Sequence, residues 1–347
     1  MTSARPGGGR MRSYLEFVVA VFYFFLARSV AHRVSIAIVS DAWMPLLEQA
    51  MLMALLILGY ACFGIVFDHQ KHPIGQQGLP QRKGWFEEAS LGLAIGWGTA
   101  VIAGLILMVA GGIAIVWQPA SWRWLTIDAL YFAVAAMAEE VAFRGYGFQR
   151  FVHSVGPVGA TLGFAIFYAV VAELTPGANR VSFAVSIMLS LVLSLAYLRT
   201  RALWVSWGLN FGWKASRALI FGLTIAGVSS HSSVVEGIPM GSFWFTGGGY
   251  GLDGSWMAFL LWLVAWPVVY RATRELDFRY NVPVFEPGGV PVDLDAAARA
   301  QHEAAMGQTE PAAPALVQIL PASASEQAAS NAESREDRPA DPQQRPA

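Results

Sequence analysis

Long apolar stretches separated by short polar segments dominate the first 280 residues of the chain. The stretches 89–117 and 181–198 contain no charged residue. A bilayer core about 30 Å thick needs about 20 apolar helical residues to cross it. The other apolar runs of suitable length, some with isolated charges, are 14–27, 44–67, 124–143, 156–172, 203–228 and 255–270. The pattern predicts an all-α, polytopic membrane helix bundle with about eight transmembrane helices.

The first apolar segment allows two interpretations. It is apolar from Tyr14 to Ala27 apart from Glu16, but Arg28, His32 and Arg33 place charged and polar groups directly after it. The segment is then either a span with a polar end or a short span joined to an interfacial helix. Because no small-residue cleavage site comes after it, we expect it to remain in the mature chain.

The composition supports a membrane location. Apolar residues make up 55% of the chain and charged residues 14%, whereas soluble domains carry about 25% charged residues. So little charge excludes an ordinary soluble enzyme, a disordered protein and a nucleic-acid-binding protein. The single cysteine, Cys62, excludes a disulfide framework and a zinc site built from thiolates. The lipid bilayer is therefore the first expected partner.

The distribution of charge predicts the orientation and the domains. With the N-terminus inside, the inner loops hold 13 Lys and Arg residues and the outer loops hold four, which places both termini in the cytoplasm of a cell-membrane protein. Residues 1–13 are then a cytoplasmic N-terminus and 14–280 the bundle. Residues 281–347 hold ten acidic residues, four basic residues and nine of the 18 prolines. We expect a disordered acidic cytoplasmic tail there, with a short helix near 293–306.

Ionisable side chains inside the predicted spans are candidates for a functional site, because each costs free energy unless it is paired. These residues are Asp128, Glu139 and Glu140 on the fourth span and Lys214 and Arg217 on the seventh. Adjacent carboxylates that cannot both ionise cheaply suit a general base. Asp128 lies three turns before Glu139 and is interpreted either as a partner of that site or as a residue of the outer interface.

Glu140 and Arg144 are four residues apart, so they share a helix face and can form an ion pair. Glu139 then projects about 100° away, towards another helix. Spacing alone leaves two interpretations open, a catalytic cluster and a structural ion pair at the cytoplasmic end of a helix.

Three segments resemble the motifs of one family. Residues 138–145, AEEVAFRG, resemble the EExxxR-G signature of the CPBP family of intramembrane metalloproteases, which includes CAAX prenyl proteases and bacterial bacteriocin-processing (Abi) proteins. Residues 164–168 fall where the family has FxxxH, and 174–179 resemble the polar turn that comes next in the family. Residues 203–214 match the frame of its HxxxN motif. The resemblance covers about residues 85–220 and implies a multi-helix intramembrane fold.

The resemblance also implies roles for residues of the first motif. In the family, the first glutamate and the histidine of the second motif are thought to activate a water, with or without a bound metal. Glu139 would then be the base, supported by Glu140 and Arg144.

Both motif histidines are replaced in this chain. Tyr168 and Asn210 stand at the two histidine positions, and Lys214 stands at the position of the asparagine. A phenol and an amide are poor zinc ligands, and an ammonium group repels a cation. We therefore expect no cofactor, with zinc bound only if the protein is active. His153 is the one remaining histidine that could approach the motifs, if the chain turns back.

Three functions are compatible with these departures. The first is a catalytically lapsed member in which Lys214 pairs with Glu139, Tyr168 and Asn210 complete a polar network, and the cavity binds a membrane protein or peptide. The second is an active endopeptidase with Glu139 as base and Tyr168 as acid or Lys214 as electrophile. The third is a transporter or channel, since intramembrane charges also line ion paths.

Overall fold

The computed structural model describes residues 6–40, 42–117, 119–276, 284–285 and 291–292. Nearly all of the regular structure in these residues is helical. The α-helices are α1 (Pro6–Ile38), α2 (Met44–Asp68), α3 (Pro73–Gln76), α4 (Trp85–Val109), α5 (Trp122–Arg144), α6 (Tyr146–Val155), α7 (Pro157–Ala172), α8 (Arg180–Thr200), α9 (Trp204–Ala215), α10 (Phe243–Thr246) and α11 (Trp256–Ala272). The predicted all-α helix bundle is thus confirmed.

The long helices pack side by side. Going round the bundle, α4 packs on α9, α9 on α5, α5 on α2 and α2 on α1. The path continues from α1 through α6, α7 and α8 to α11, which contacts α4. The closest contact joins α4 to α9, the helix that carries the third motif. This arrangement places the second half of α5, which carries the first motif, directly against α9.

Glycines bring the backbones of α4 and α9 into contact. A methyl group added at Gly92 would lie 2.1 Å from the carbonyl oxygen of Val205, and one at Gly96 would lie 2.1 Å from that of Leu209. The contact is reciprocal, because a methyl group at Gly208 would lie 2.1 Å from the carbonyl oxygen of Ala89. Both helices use glycines spaced four residues apart, the pattern that lets membrane helices approach closely.

The polar turn before α8 acts as a helix cap. The Asn179 side chain accepts hydrogen bonds from the backbone N–H groups of Val181 and Ser182, at 2.8 and 3.1 Å. The Asn179 N–H in turn donates to the Ser182 hydroxyl at 2.7 Å. These bonds satisfy N–H groups that would otherwise be unpaired at the start of a helix. The turn therefore fixes where α8 begins.

Within the part of the chain that the structure describes, four helices are long and apolar enough to cross a membrane, judged by length and composition: Gly9–Ile38, Met44–Asp68, Trp85–Val109 and Arg180–Thr200. Helices α7 and α11 are apolar but shorter. Each of the eight apolar runs contains a helix, and the number of spans stays a prediction. The first segment is one continuous helix of 33 residues. This agrees with a span that has a polar end and not with a short span joined to a separate helix.

The structure corrects two predicted boundaries. The run 203–228 is helical only to residue 215, followed by a π-helical turn over Ser216–Ile220, and the chain then leaves the helix. The run 89–117 ends its helix at Val109 and continues as strand β1 (Ile113–Val116). Strand β1 pairs antiparallel with β2 (Glu236–Pro239). Apolar composition does not distinguish a membrane span from an apolar turn or strand next to it. The pattern therefore places the C-terminal ends of both helices too late in the sequence.

The region after residue 282 forms a separate unit. In it, strand β3 (Val284–Phe285) pairs antiparallel with β4 (Pro291–Val292). The predicted disorder of the tail and the predicted helix near 293–306 fall on residues outside those described.

Candidate functional site

Side chains from α7 and α9 converge on the carboxylate of Glu139, which lies on α5. The Lys214 ammonium on α9 lies 2.5 Å from Glu139 Oε1. Asn210 Nδ2, one turn earlier on α9, donates to Glu139 Oε2 at 3.0 Å. The Tyr168 hydroxyl on α7 donates to the same oxygen at 3.4 Å. The contact predicted between Lys214 and Glu139 is therefore present, and the three residues that replace the family's motif residues all contact this one carboxylate.

Glu140, next to this carboxylate, pairs with Arg144. Arg144 Nη1 donates to Glu140 Oε1 at 3.2 Å, and both side chains are fully buried. Arg144 Nη2 also donates to the Ser190 hydroxyl on α8 at 2.9 Å. Asn210 Nδ2 lies 3.2 Å from Glu140 Oε1, so Asn210 bridges both glutamates. The ion pair predicted from the spacing thus joins α5 to α8 and to α9.

Ordinary packing contacts hold α9 in register with α5. The Trp207 indole N–H donates to the backbone carbonyl of Ala133 at 2.9 Å. Together with the close approach of α4 and α9, this bond fixes the height of Asn210 and Lys214 relative to Glu139. On α7, the Tyr168 ring packs edge-on against the Phe143 ring of α5, with centroids 4.9 Å apart, which positions the Tyr168 hydroxyl.

A cavity of about 400 Å³ opens beside Glu139. One face of α5 lines it over most of its length, with contributions from α1, α2, α7, α8 and the segment after α9. Its polar lining includes Glu139, Tyr168 and Lys214, and most of the rest is apolar, for example Phe132 and Leu189. Mostly apolar cavities of this size with a few polar groups are typical of ligand sites.

The residues around Glu139 do not fit a divalent metal ion. Asn210 presents its Nδ2 donor to Glu139, and an N–H group cannot ligate a cation. The Lys214 ammonium occupies the space beside Oε1 where a metal would be held. Among the described residues, no group of three or more His, Cys, Asp and Glu side chains is placed to hold a metal.

His153 does not contribute to the cavity. It lies on α6, while the lining comes from other helices and loops. Burial and the nearby Arg150 lower the pKa of His153, which lies in the last turn of α6. The prediction that His153 could serve as a replacement ligand is not supported by this position.

Asp128 binds a loop rather than the network around Glu139. The carboxylate is 3% exposed and lies 2.7 Å from His231 Nδ1 through Oδ1. Its Oδ2 accepts the backbone N–H of His231 at 2.7 Å. The His231 ring stacks on Trp124, with centroids 4.6 Å apart. Both Asp128 and His231 line the cavity, and sequence reasoning missed their pairing because 103 residues separate them.

Arg217 belongs to the wall of the bundle. Its NH2 group donates to Asp253 Oδ2 at 2.9 Å, and its guanidinium lies over the ring of Trp213 at 4.0 Å. The Trp213 indole N–H donates to Asp253 Oδ1 at 3.0 Å. Next to this cluster, burial and Asp253 raise the pKa of Tyr250 to about 12, so its hydroxyl stays protonated. This predicted site residue therefore anchors the loop after α10 to α9.

Comparison with known proteins gives one match. Residues 119–216 match the family model for the type II CAAX prenyl endopeptidase Rce1-like proteins. No curated protein and no solved structure matches the chain. The matched segment runs from just before α5 to just after α9 and so contains all three motif frames. The resemblance seen in the motifs is confirmed over residues 119–216, where this membrane protein is similar to the type II CAAX prenyl endopeptidase Rce1-like proteins.

Proposed function

We propose that this protein is a catalytically lapsed member of its family. It binds an apolar peptide segment of a membrane partner in the cavity beside Glu139. The observation that carries the proposal is the state of Glu139. Its two oxygens accept hydrogen bonds from Lys214, Asn210 and Tyr168. A carboxylate accepts at about four positions, so these three donors leave at most one for the water that a general base must deprotonate. Here the carboxylate anchors three helices instead.

The cavity beside this network supports binding without hydrolysis. It has a volume of about 400 Å³, although Glu139, Lys214 and Tyr168 in its lining are hydrogen-bonded to one another. A peptide side chain or backbone can enter such a space and bury apolar surface, which is favourable at about 25 cal/mol per Å². The alternative of an active endopeptidase with Glu139 as base needs the Lys214 ion pair to open before chemistry.

A library of fluorogenic apolar peptides, prenylated and unprenylated, tests the proposal on the full chain in lipid nanodiscs. We expect binding without cleavage. Ala135→Trp fills the cavity, which Ala135 lines, and should abolish binding. Glu139→Gln should leave binding within about threefold, because the amide oxygen still accepts a hydrogen bond from Lys214.

Cleavage by the wild-type chain that disappears in Glu139→Gln would establish the endopeptidase and overturn the proposed lapse. Binding that Ala135→Trp leaves intact would place the peptide outside this cavity. The matched control is Leu130→Trp, since Leu130 lies on the same helix but is 54% exposed on its outer side. That variant should bind as the wild type does.

The charge bias of the loops supports an orientation with both termini in the cytoplasm. The ion pairs Arg150–Asp68 and Arg12–Glu16 cluster at the end of the bundle where α1 begins. Green fluorescent protein fused after residue 347 should therefore fluoresce in cells, because it folds poorly when exported through the membrane unfolded. A fusion protein that is expressed normally but does not fluoresce would place the C-terminus on the opposite side of the membrane and contradict this orientation.

A further inference from the structure

The geometry of His231 leaves one ring nitrogen available to a ligand. Nδ1 is bound to Asp128 Oδ1 at 2.7 Å, so in the neutral ring the proton lies on Nδ1 and Nε2 carries a lone pair. Nε2 has no hydrogen-bond partner among the described residues. The ring is held on one side by Trp124, and the side chain is 36% exposed. A fixed acceptor therefore stands at the cavity.

This acceptor and the Glu139 network lie at opposite ends of one cavity. Asp128 and Glu139 are eleven residues apart on α5, which corresponds to about 16 Å along the helix axis. Between them α5 presents Tyr131, Phe132 and Ala135 to the cavity, and α8 contributes Ser186 and Leu189. The cavity thus has two polar ends, and the lining between them is mainly apolar but includes the Tyr131 and Ser186 hydroxyl groups.

We propose that the Asp128–His231 pair is a second recognition site, in which His231 Nε2 accepts a hydrogen bond from a side-chain hydroxyl group of the bound peptide. The inference rests on the proposed function and adds the length and polarity of the ligand. An extended chain rises about 3.3 Å per residue, so about five residues span the distance between the two polar ends. The ligand is an extended segment of about five residues with small apolar side chains and a hydrogen-bond donor at the end near His231.

A peptide fits this pattern better than a lipid acyl chain does. An acyl chain carries a polar group at one end only, so its methyl end would lie against either Glu139 and Lys214 or Asp128 and His231. The carboxylates are already paired within the protein, but His231 Nε2 would be left without a partner against an apolar ligand, which costs about 1–3 kcal/mol. A peptide carries N–H and C=O groups along its whole length and can satisfy both ends.

Two acetylated pentapeptide amides that differ at one atom group test the inference. One peptide has a serine and four small apolar residues, and the other has O-methylserine in place of the serine. Each peptide is made in two versions, with this residue at the N-terminal or at the C-terminal end. Affinities are measured on the full chain in nanodiscs. Because O-methylserine cannot donate a hydrogen bond, we expect the wild type to bind the serine peptide about fivefold more tightly, the ratio that one hydrogen bond provides.

Two variants assign that ratio to His231. His231→Phe keeps a ring that can stack on Trp124 but removes Nε2, and the ratio should fall to about one. Asp128→Asn presents an amide that donates to Nδ1, so the proton moves to Nε2 and the acceptor becomes a donor. The ratio should again fall to about one, and ¹⁵N shifts of the neutral ring should show the change of tautomer.

The outcomes separate the two proposals. A ratio of one in the wild type, or a fivefold ratio that survives both variants, overturns the second recognition site and leaves peptide binding at Glu139 standing. Binding of phosphatidylglycerol or free fatty acid in competition with both peptides would assign the cavity to a lipid and overturn it as well. No binding of any peptide by the wild type would overturn the proposed function itself. If His231→Phe does not fold, Asp128→Asn and the wild-type tautomer still decide.

Discussion

Replacing Gly92 by alanine is expected to destabilise the bundle by about 3 kcal/mol, a large fraction of a typical folding free energy. The added methyl group would lie 2.1 Å from the Val205 carbonyl oxygen and 2.9 Å from the Leu209 N–H nitrogen. Both are backbone atoms, so no side chain can rotate to make room. Helices α4 and α9 must separate, and we expect a lower melting temperature in detergent together with weaker peptide binding.

The same substitution at Gly98 is the matched control. Gly98 lies six residues further along α4, and a methyl group there meets no atom within 4 Å. Alanine favours a helix over glycine by about 1 kcal/mol, so Gly98→Ala should leave the melting temperature unchanged or raise it. Equal melting temperatures for Gly92→Ala and Gly98→Ala would show that α4 and α9 do not approach as closely as described.

Much of the fold and part of the site could be predicted from the sequence, because both depend on local spacing. Apolar runs of about 20 residues indicated helices, and the four-residue spacing of Glu140 and Arg144 indicated the ion pair that the structure contains. The contact of Lys214 with Glu139 was predictable because a buried carboxylate needs a positive partner. The glycine spacing on α4 and α9 was also visible in the sequence and would have indicated their close contact.

Other features depend on contacts that spacing does not encode. The pairing of Asp128 with His231 requires a loop to fold back over the cavity, and no local pattern indicates which loop does so. The continuity of α1 was hidden by His32, which the structure pairs with Glu48 of α2 at 2.9 Å. A polar residue that looks like a helix end in isolation is thus accommodated by its neighbour.

Restoring the family's residues at the three positions that depart from it is expected to create a metal site. The change is Tyr168→His, Asn210→His and Lys214→Asn. The side chains now at these positions lie 3.4, 3.0 and 2.5 Å from the oxygens of Glu139, so the introduced imidazoles would surround that carboxylate. Two imidazoles, a carboxylate and a water suit tetrahedral Zn²⁺. Plasma mass spectrometry of the dialysed triple variant should find roughly one zinc per chain, and the wild type should hold none.

Lys214 decides the outcome, because a cation 2.5 Å from Glu139 repels a second cation. The double variant Tyr168→His/Asn210→His, which keeps Lys214, should bind zinc at least about a hundredfold more weakly than the triple variant.

Lys214→Met alone leaves Glu139 without its cation. Since Glu139 is 30% exposed to the cavity, the loss of stability should be about 2 kcal/mol, below the range for fully buried pairs, and adding Glu139→Gln should recover most of it.

These variants test whether Lys214 has replaced a metal or merely neighbours one. Equal zinc binding by the double and triple variants would show that the ammonium does not occupy the metal's place. Zinc in the wild type that disappears in Glu139→Ala would show that the centre never lapsed, and peptide cleavage would then be the expected activity. If only the triple variant binds zinc, the residues at positions 168, 210 and 214 decide whether Glu139 forms a metal site or a structural ion pair.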